Sequence, residues 1–246
     1  MAAKGIRLSD DLADTLVGCG KDKVQETMKN DTQAAPKPRT RNAAVTRENI
    51  LTVATREFAE RGYDGASIEA IVLCCKISKN LIYHYFDSKE GLFIEVMERA
   101  YGAMRERQNG LVMSGDPVSD MRNLVEKTIQ HFIDQPDFHL LLSTENLHKA
   151  SHIRKSAVIS QMFNPLRAAL STILQEGKDK GVFRQDAEWV DLYVSISGLG
   201  AYFITNRYTL SYVLDVDLDA PERKASRLKH ASDVVMSYLC DLHPPA

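Results

Sequence analysis

Several kinds of chemistry are missing from this sequence. It holds no glycine-rich phosphate loop, no H-E-x-x-H and no G-x-S-x-G, and it suggests no nucleophile–base pair, so an enzymatic reading has nothing to rest on. Only four cysteines occur, Cys19, Cys74, Cys75 and Cys240, and none forms a C-x-x-C pair. Cys74 and Cys75 are neighbours on a short helical pattern and cannot sensibly bridge each other. That usage points to a reduced, cytoplasmic protein whose thiols pack rather than pair. No apolar run approaches the roughly 18 residues of a membrane span, and the N-terminus has no apolar run typical of a signal peptide. Excess positive charge is also missing: the formal net charge is −2, so a nucleic-acid partner must be served by a local basic patch. Strand-like alternation and repeats are absent as well. What remains is an all-α fold of about nine or ten helices.

The chain of 246 residues is 44% hydrophobic, enough for a substantial core in one or two domains. Its organising stretch runs from about Thr46 to Met97 and contains three short helical patterns. The first spans Thr46, a good N-cap, to Gly62, a good C′ residue, with Ile50, Val53, Ala54, Phe58 and Ala59 on one face. The second starts at Ser67, has Glu69 in its first turn where the helix dipole favours an anion, and carries an apolar stripe of Ile68, Ile71, Val72 and Cys75. The third starts at Ser78 after a turn of three or four residues. It turns Leu81, Ile82 and Tyr85 inward and leaves Lys79, Asn80, Tyr83 and His84 outward. Two short helices joined so tightly make a helix-turn-helix, and a small, polar, basic outer face suits a major groove. Asp87-Ser88-Lys89-Glu90 then stops the third helix and caps a fourth.

Ile68-x-x-Ile71, Ile77-Ser78-Lys79, Leu81-Ile82-Tyr83-x-Tyr85-Phe86 and Ser88-Lys89-Glu90-x-Leu92 together resemble the DNA-binding domain of the TetR family of repressors, over about fifty residues without a gap. The resemblance implies that Ser67 touches phosphate, that Lys79, Asn80, Tyr83 and His84 face bases or phosphates, and that Tyr85 and Lys89 clamp the backbone. Arg41, Arg47 and Ser78 join this DNA-binding set. Two positions depart from the family pattern. The turn usually holds Ala-Gly, and here it is Cys75-Lys76; a lysine at positive φ costs roughly 1 kcal/mol relative to glycine. The residue after Lys79 is often small, and here Asn80 adds an amide suited to adenine.

Residues 1–45 read as a disordered or weakly helical extension. Ile6 to Val17 could form a short amphipathic helix, and Lys21 to Val45 is polar and proline-bearing. Its end, Lys37-Pro38-Arg39-Thr40-Arg41, resembles the basic arms that lie in a minor groove, with a solvated linker as the alternative. Lys37 to Arg61 holds six basic and three acidic side chains, a local +3. Residues 1–27 are expected to be dispensable, with Met28 as a candidate native start. The head is placed at 46–92 and the body at 93–246.

In the body, a linking helix is expected to about Asn109, then Val118 to Ile133 and Phe138 to His148. A long helix over Ile153 to Gly177 would be kinked at Pro165, another would run from Asp186 or Ala187 to Leu214, and a last one would start near Pro221. Glu145, His148 and His152 have the spacing of metal ligands on one helix face. No fourth ligand is evident, however, and no metal or cofactor is expected. The resemblance implies a small-molecule effector bound in the body, for which Phe138, Leu142, Glu145, Asn146, Phe163, Tyr202, Asn206 and Arg207 are the candidates. It also implies a homodimer on a palindromic double-stranded DNA operator. The dimer would be built from the small residues Ser197, Gly200 and Ala201 with the stripe Leu228, Val235 and Leu239, unless both stripes are spent inside the monomer. The functional expectation is an effector-released transcriptional repressor. The alternative is a DNA-binding adaptor of the same fold whose body binds a protein.

Overall fold

The computed structural model describes residues 39–109 and 113–241, excepting the side chains at 39–42 and 107–109. The Ile6–Val17 helix, the possible start at Met28, the Arg41 side chain and most of the basic arm lie outside the described residues. Among those described, every regular element is helical. No helix among them is long and apolar enough to cross a membrane. By compactness the chain divides once, between Arg47 and Glu48; the helix-turn-helix and the helical body both lie in the second part.

The first helix, α1 (Arg39–Gly65), begins seven residues before Thr46, which therefore sits inside it rather than capping it. Residues 39–45, expected to be disordered, include Ala43 and Ala44, and alanine is the best helix former. α1 is interrupted at Gly62, where φ 68 and ψ 176 are backbone angles that glycine takes without a Cβ penalty. α2 (Ile68–Cys75) follows its N-cap Ser67, whose Oγ accepts from the Ala70 N–H. Its C-terminus is closed by Lys76 in the left-handed region (φ 54): the Lys76 N–H donates to Leu73 O and the Ile77 N–H to Val72 O, each at 3.3 Å. This is a Schellman closure with lysine where glycine is usual, as the turn sequence implied. α3 (Lys79–Phe86) and α4 (Lys89–Asn109) complete the head.

The head core includes Ile50, Phe58, Ile71, Ile82, Leu92, Phe93 and Met97, all buried, and Leu141 and Ile159 of the body belong to the same cluster. Burying one such side chain contributes about 1.5–3 kcal/mol.

The body contains α5 (Pro117–Asp134), α6 (Pro136–Leu147), a 3₁₀ turn at Ile153–Lys155, α7 (Ile159–Met162), α8 (Asn164–Asp179), α9 (Trp189–Thr205), α10 (Arg207–Leu214) and α11 (Pro221–Cys240). α5 is central, packed against α4, α6, α8, α9 and α11. Its stripe of Met121, Leu124, Val125 and Ile129 is buried with Leu170, Ile173, Ile196, Ala231 and Leu239. Two expected long helices are broken. The helix breaks at Phe163, and Pro165 sits in the first turn of α8 instead of kinking a continuous helix, since a proline there costs no helical hydrogen bond. Asn206 (φ −105, ψ 6) separates α9 from α10, and its side-chain amide donates to Tyr202 O at 3.0 Å.

Candidate nucleic-acid interface

The tight α2–α3 turn fixes which face of α3 is buried. Ile82 and Phe86 point into the core, Leu81 and Tyr85 are half-buried, and Lys79, Asn80, Tyr83 and His84 are exposed. The Asn80 amide makes no hydrogen bond among the described residues. Ser78 precedes α3 as an exposed N-cap with no side-chain cap bond. The His84 ring lies 5.6 Å from that of Tyr85. Arg47 is half-buried on α1.

Lys79 is not a free cation. Its Nζ lies 2.5 Å from Glu69 Oε1 and 5.9 Å from the centre of the Tyr83 ring. The other oxygen of Glu69 accepts from the Ser67 hydroxyl at 3.1 Å. The Lys79 hydrogen bond, then the α2 backbone and Ser67, pull the Glu69 carboxyl down to about 2. The Ser67 N–H donates to Glu57 Oε1 at 3.0 Å, which ties the start of α2 to α1. Lys89 also has partners within the chain. Its Nζ donates to Ala66 O at 2.7 Å and stands 5.0 Å above the Tyr63 ring. Its position at the start of α4 thus crosses to the end of α1, a link that spacing alone did not reveal.

Of the eight residues expected to hold an effector, Phe138 and Glu145 are buried, Leu142, Phe163, Asn206 and Arg207 half-buried, and Asn146 and Tyr202 exposed. Phe138 is buried, edge-on to Tyr101 at 5.3 Å, and Leu142 packs against the same group. Glu145 is consumed locally: it accepts from His152 N at 2.9 Å and Ile153 N at 3.0 Å, and pairs with His152 Nδ1 at 2.7 Å. Asn146 is exposed. Phe163 stacks edge-on to Tyr193 at 4.9 Å. Tyr202 is exposed, Asn206 caps α9, and Arg207 bonds Ile204 O and the Tyr208 hydroxyl. A cavity of about 240 Å³ lies instead among α1, α4, α5 and α6, lined in part by Thr52, Arg56, Arg99, His131 and Phe138; of the eight, Phe138 alone reaches it.

His148 is turned to Asp64, with Nε2 3.3 Å from Oδ2, and its ring lies 5.1 Å from that of His152, which pairs with Glu145; among the described residues no three such side chains are placed to hold a metal ion. α6 ends at Leu147, and the left-handed pair Lys149 and Ala150 folds the chain back.

Four of the six expected dimer residues, Gly200, Leu228, Val235 and Leu239, pack within the chain. A Cβ on Gly200 would meet Phe132 Cδ2 of the same chain at 2.6 Å, so its smallness serves the packing of α9 on α5. Val235 and Leu239 are buried within the chain, and Leu228 packs against the same core. Ser197 and Ala201 are half-buried. The exposed apolar positions are others: Val190 (48%), Val194 (61%) and Tyr202 (60%) on α9, and Val234 (41%) and Tyr238 (44%) on α11. The four-residue spacing of 190, 194 and 202 carried that signal in the sequence.

Comparison with known proteins decides the class. The model for bacterial regulatory proteins of the tetR family matches residues 50–96, and that for the tetracyclin repressor-like C-terminal domain matches 117–235. The HTH-type transcriptional repressor NicS of Pseudomonas putida is 36% identical over 199 residues, 80% of this chain and 94% of that one. The chain belongs to the TetR family of transcriptional regulators. A second TetR-family relative, the repressor AcnR of Corynebacterium glutamicum, is 29% identical over 182 residues, covering 69% and 89% of the two chains. Among solved structures, HlyIIR, a hemolysin II transcriptional regulator, aligns with TM-score 0.54 at 25% identity over 81% of this chain and 99% of that one. A transcriptional regulator from Streptomyces coelicolor shares the fold, with TM-score 0.59 at 22% identity over 77% and 97%. TetR-family membership makes this chain a DNA-binding transcriptional regulator of the repressor type, not an enzyme.

Proposed function

We propose that the protein represses transcription as a homodimer on a palindromic operator and is released by a small-molecule effector. The observation that carries this reading is the exposed polar face of α3, on which the Asn80 amide is unbonded among the described residues. Base edges in a major groove supply the donors and acceptors such a face lacks. In this reading Lys79, Asn80, Tyr83 and His84 address bases, while Arg41, Arg47, Ser67, Ser78 and Tyr85 address phosphates. Lys89 orders the α1–α4 junction as well as adding charge beside the backbone.

Two heads on one duplex face need a self-complementary interface. The exposed side chains Val190, Val194 and Tyr202 with Val234 and Tyr238 are the surface offered here. A Cβ on Gly198, on the same stripe of α9, would meet nothing within 4 Å, which leaves room for a facing helix. The effector site is assigned to the cavity that Phe138 lines, because it touches both α1 of the head and α6 of the body. The adaptor reading is favoured by one observation: α10 buries none of its residues and exposes Tyr208, Tyr212, Val213 and Leu214.

Selecting duplexes from a random pool with the purified protein, sizing the complex, and screening metabolites for release tests all three elements. A selected palindrome bound by two copies and freed by a metabolite supports the repressor. Binding that no small molecule relieves, together with a protein captured through α10, supports the adaptor.

A further inference from the structure

We propose that Glu69 is a specificity-determining residue: it holds Lys79 back from phosphates in general and yields it only to a matched operator. The proposal rests on the reading of α3 as the helix that enters the groove. Lys79 is the first residue of α3 and Glu69 the second of α2, and the two side chains meet at 2.5 Å on the exposed side of the helix-turn-helix. The same carboxylate takes the Ser67 hydroxyl, while Ser67 Oγ accepts the Ala70 N–H at 3.3 Å. The start of α2, with its amide donors and positive dipole end, thus carries an internal anion, and Ser67, like Lys79, is released to the DNA only when α3 seats in the groove.

Two consequences follow for DNA. Sequence-independent affinity comes from cations that displace counterions from phosphates, each adding about 0.9 to the salt slope. A lysine held by its neighbour adds less to that sum, and the carboxylate repels the backbone. On a matched site, base contacts by Asn80 and its neighbours draw α3 fully into the groove. There Lys79 exchanges Glu69 for an acceptor on a base edge. The exchange is repaid only where that acceptor exists, so Glu69 lowers unrelated binding more than operator binding. The low protonation point of the Glu69 carboxyl keeps the pair charged throughout the neutral range.

The full-length protein is titrated against two fluorescent duplexes of equal length, one selected from a random pool and one of unrelated sequence. Glu69→Gln should raise affinity for the unrelated duplex about threefold or more and steepen its salt slope by about 0.9. Affinity for the selected duplex should rise less, so discrimination falls. In a Lys79→Gln background the gain should be clearly smaller. Lys79→Gln alone should weaken selected binding more than unrelated binding, which tests the idea even if Glu69→Gln folds poorly. Equal gains on both duplexes, a gain as large in the Lys79→Gln background, or equal weakening of both duplexes by Lys79→Gln alone would overturn it. Asn80→Ala is the separate control for α3: if it leaves discrimination intact, the reading of α3 fails, whereas Glu69 is judged on the unrelated duplex.

Discussion

The outer side of α3 and the outer side of α9 and α11 are both left incomplete by the chain, in opposite ways. On α3 the exposed groups are an amide, an imidazole, a phenol and an ammonium held by Glu69, so what is missing is hydrogen-bond partners for the Asn80 amide. On α9 and α11 they are Val190, Val194, Val234 and two tyrosines, so what is missing is apolar cover. Water satisfies the first surface and not the second. A polar face can therefore wait in solvent for a partner it engages reversibly, whereas an apolar face of this kind favours permanent cover. On the proposed reading, the contrast separates a switching surface from an assembling one within a single small protein.

Breaking the apolar face should have the largest effect. Val194→Asp places a charge in the middle of the stripe, and it should convert the dimer to a monomer by light scattering. Operator affinity should drop by about two orders of magnitude or more, because a lone head gives up half of its base contacts. The variant should stay folded by circular dichroism, since Val194 is exposed within the chain, with a lower melting temperature from the lost dimer linkage. A Val194→Asp protein that remains dimeric would place the interface elsewhere.

Breaking the polar face comes next. Asn80→Ala should cost about 1–3 kcal/mol on the selected operator, relax one base preference, and leave stability unaltered. Equal weakening on every sequence would remove Asn80 from the readout and reduce the contrast between the two faces to charge alone.

A third change is internal and sharpens the comparison by showing what the chain hides completely. His139 is buried on α6, against the Phe132 ring at 4.4 Å. Burial, with a smaller push from His131, lowers its pKa from 6.5 to about 4. The unfolded chain binds this proton near 6.5 and the folded chain only near 4. Falling pH therefore favours unfolding across that window, and above it the group has no effect. The melting temperature should fall as pH drops from about 6.5 to about 4. In His139→Leu that part of the decline should flatten, and an unchanged pH curve would show that His139 does not carry it.

The head was far more legible in sequence than the body, and the reason is the range of its interactions. Ser67 caps α2, Ile82 and Phe86 face inward, and Lys76 takes the left-handed turn; each depends on residues a few positions away. The body's errors came from contacts far apart in the chain. The small residue Gly200 promised a close approach, but only the fold identifies Phe132 as its neighbour. Glu145 and His152 had helical spacing near an expected helix end, and it is the left-handed turn through Lys149 and Ala150 that sets one against the other. Likewise Val235 and Leu239 made an apolar stripe that could face either a partner or the interior, and α5 is what covers it. The same limit applied once in the head, to Lys89.

Lys89 gives the smallest expected effect and the most direct test of that limit. Its resemblance-based role is a phosphate clamp. Its observed partners are Ala66 O at 2.7 Å and the face of Tyr63, both at the end of α1. A carbonyl at a helix end and an aromatic face each attract a cation by about 0.3–1 kcal/mol at partly exposed sites. Lys89→Met keeps the aliphatic stem over Tyr63 and removes the charge. If the junction is its main work, the variant should lose about 0.5–1 kcal/mol of stability, with its operator salt slope nearly unchanged. If phosphate contact is its main work, stability should hold while the slope falls by about 0.9 and all sequences weaken alike. The partners seen within the chain favour the first outcome, since an ammonium already bound to a carbonyl must give up that bond to reach DNA.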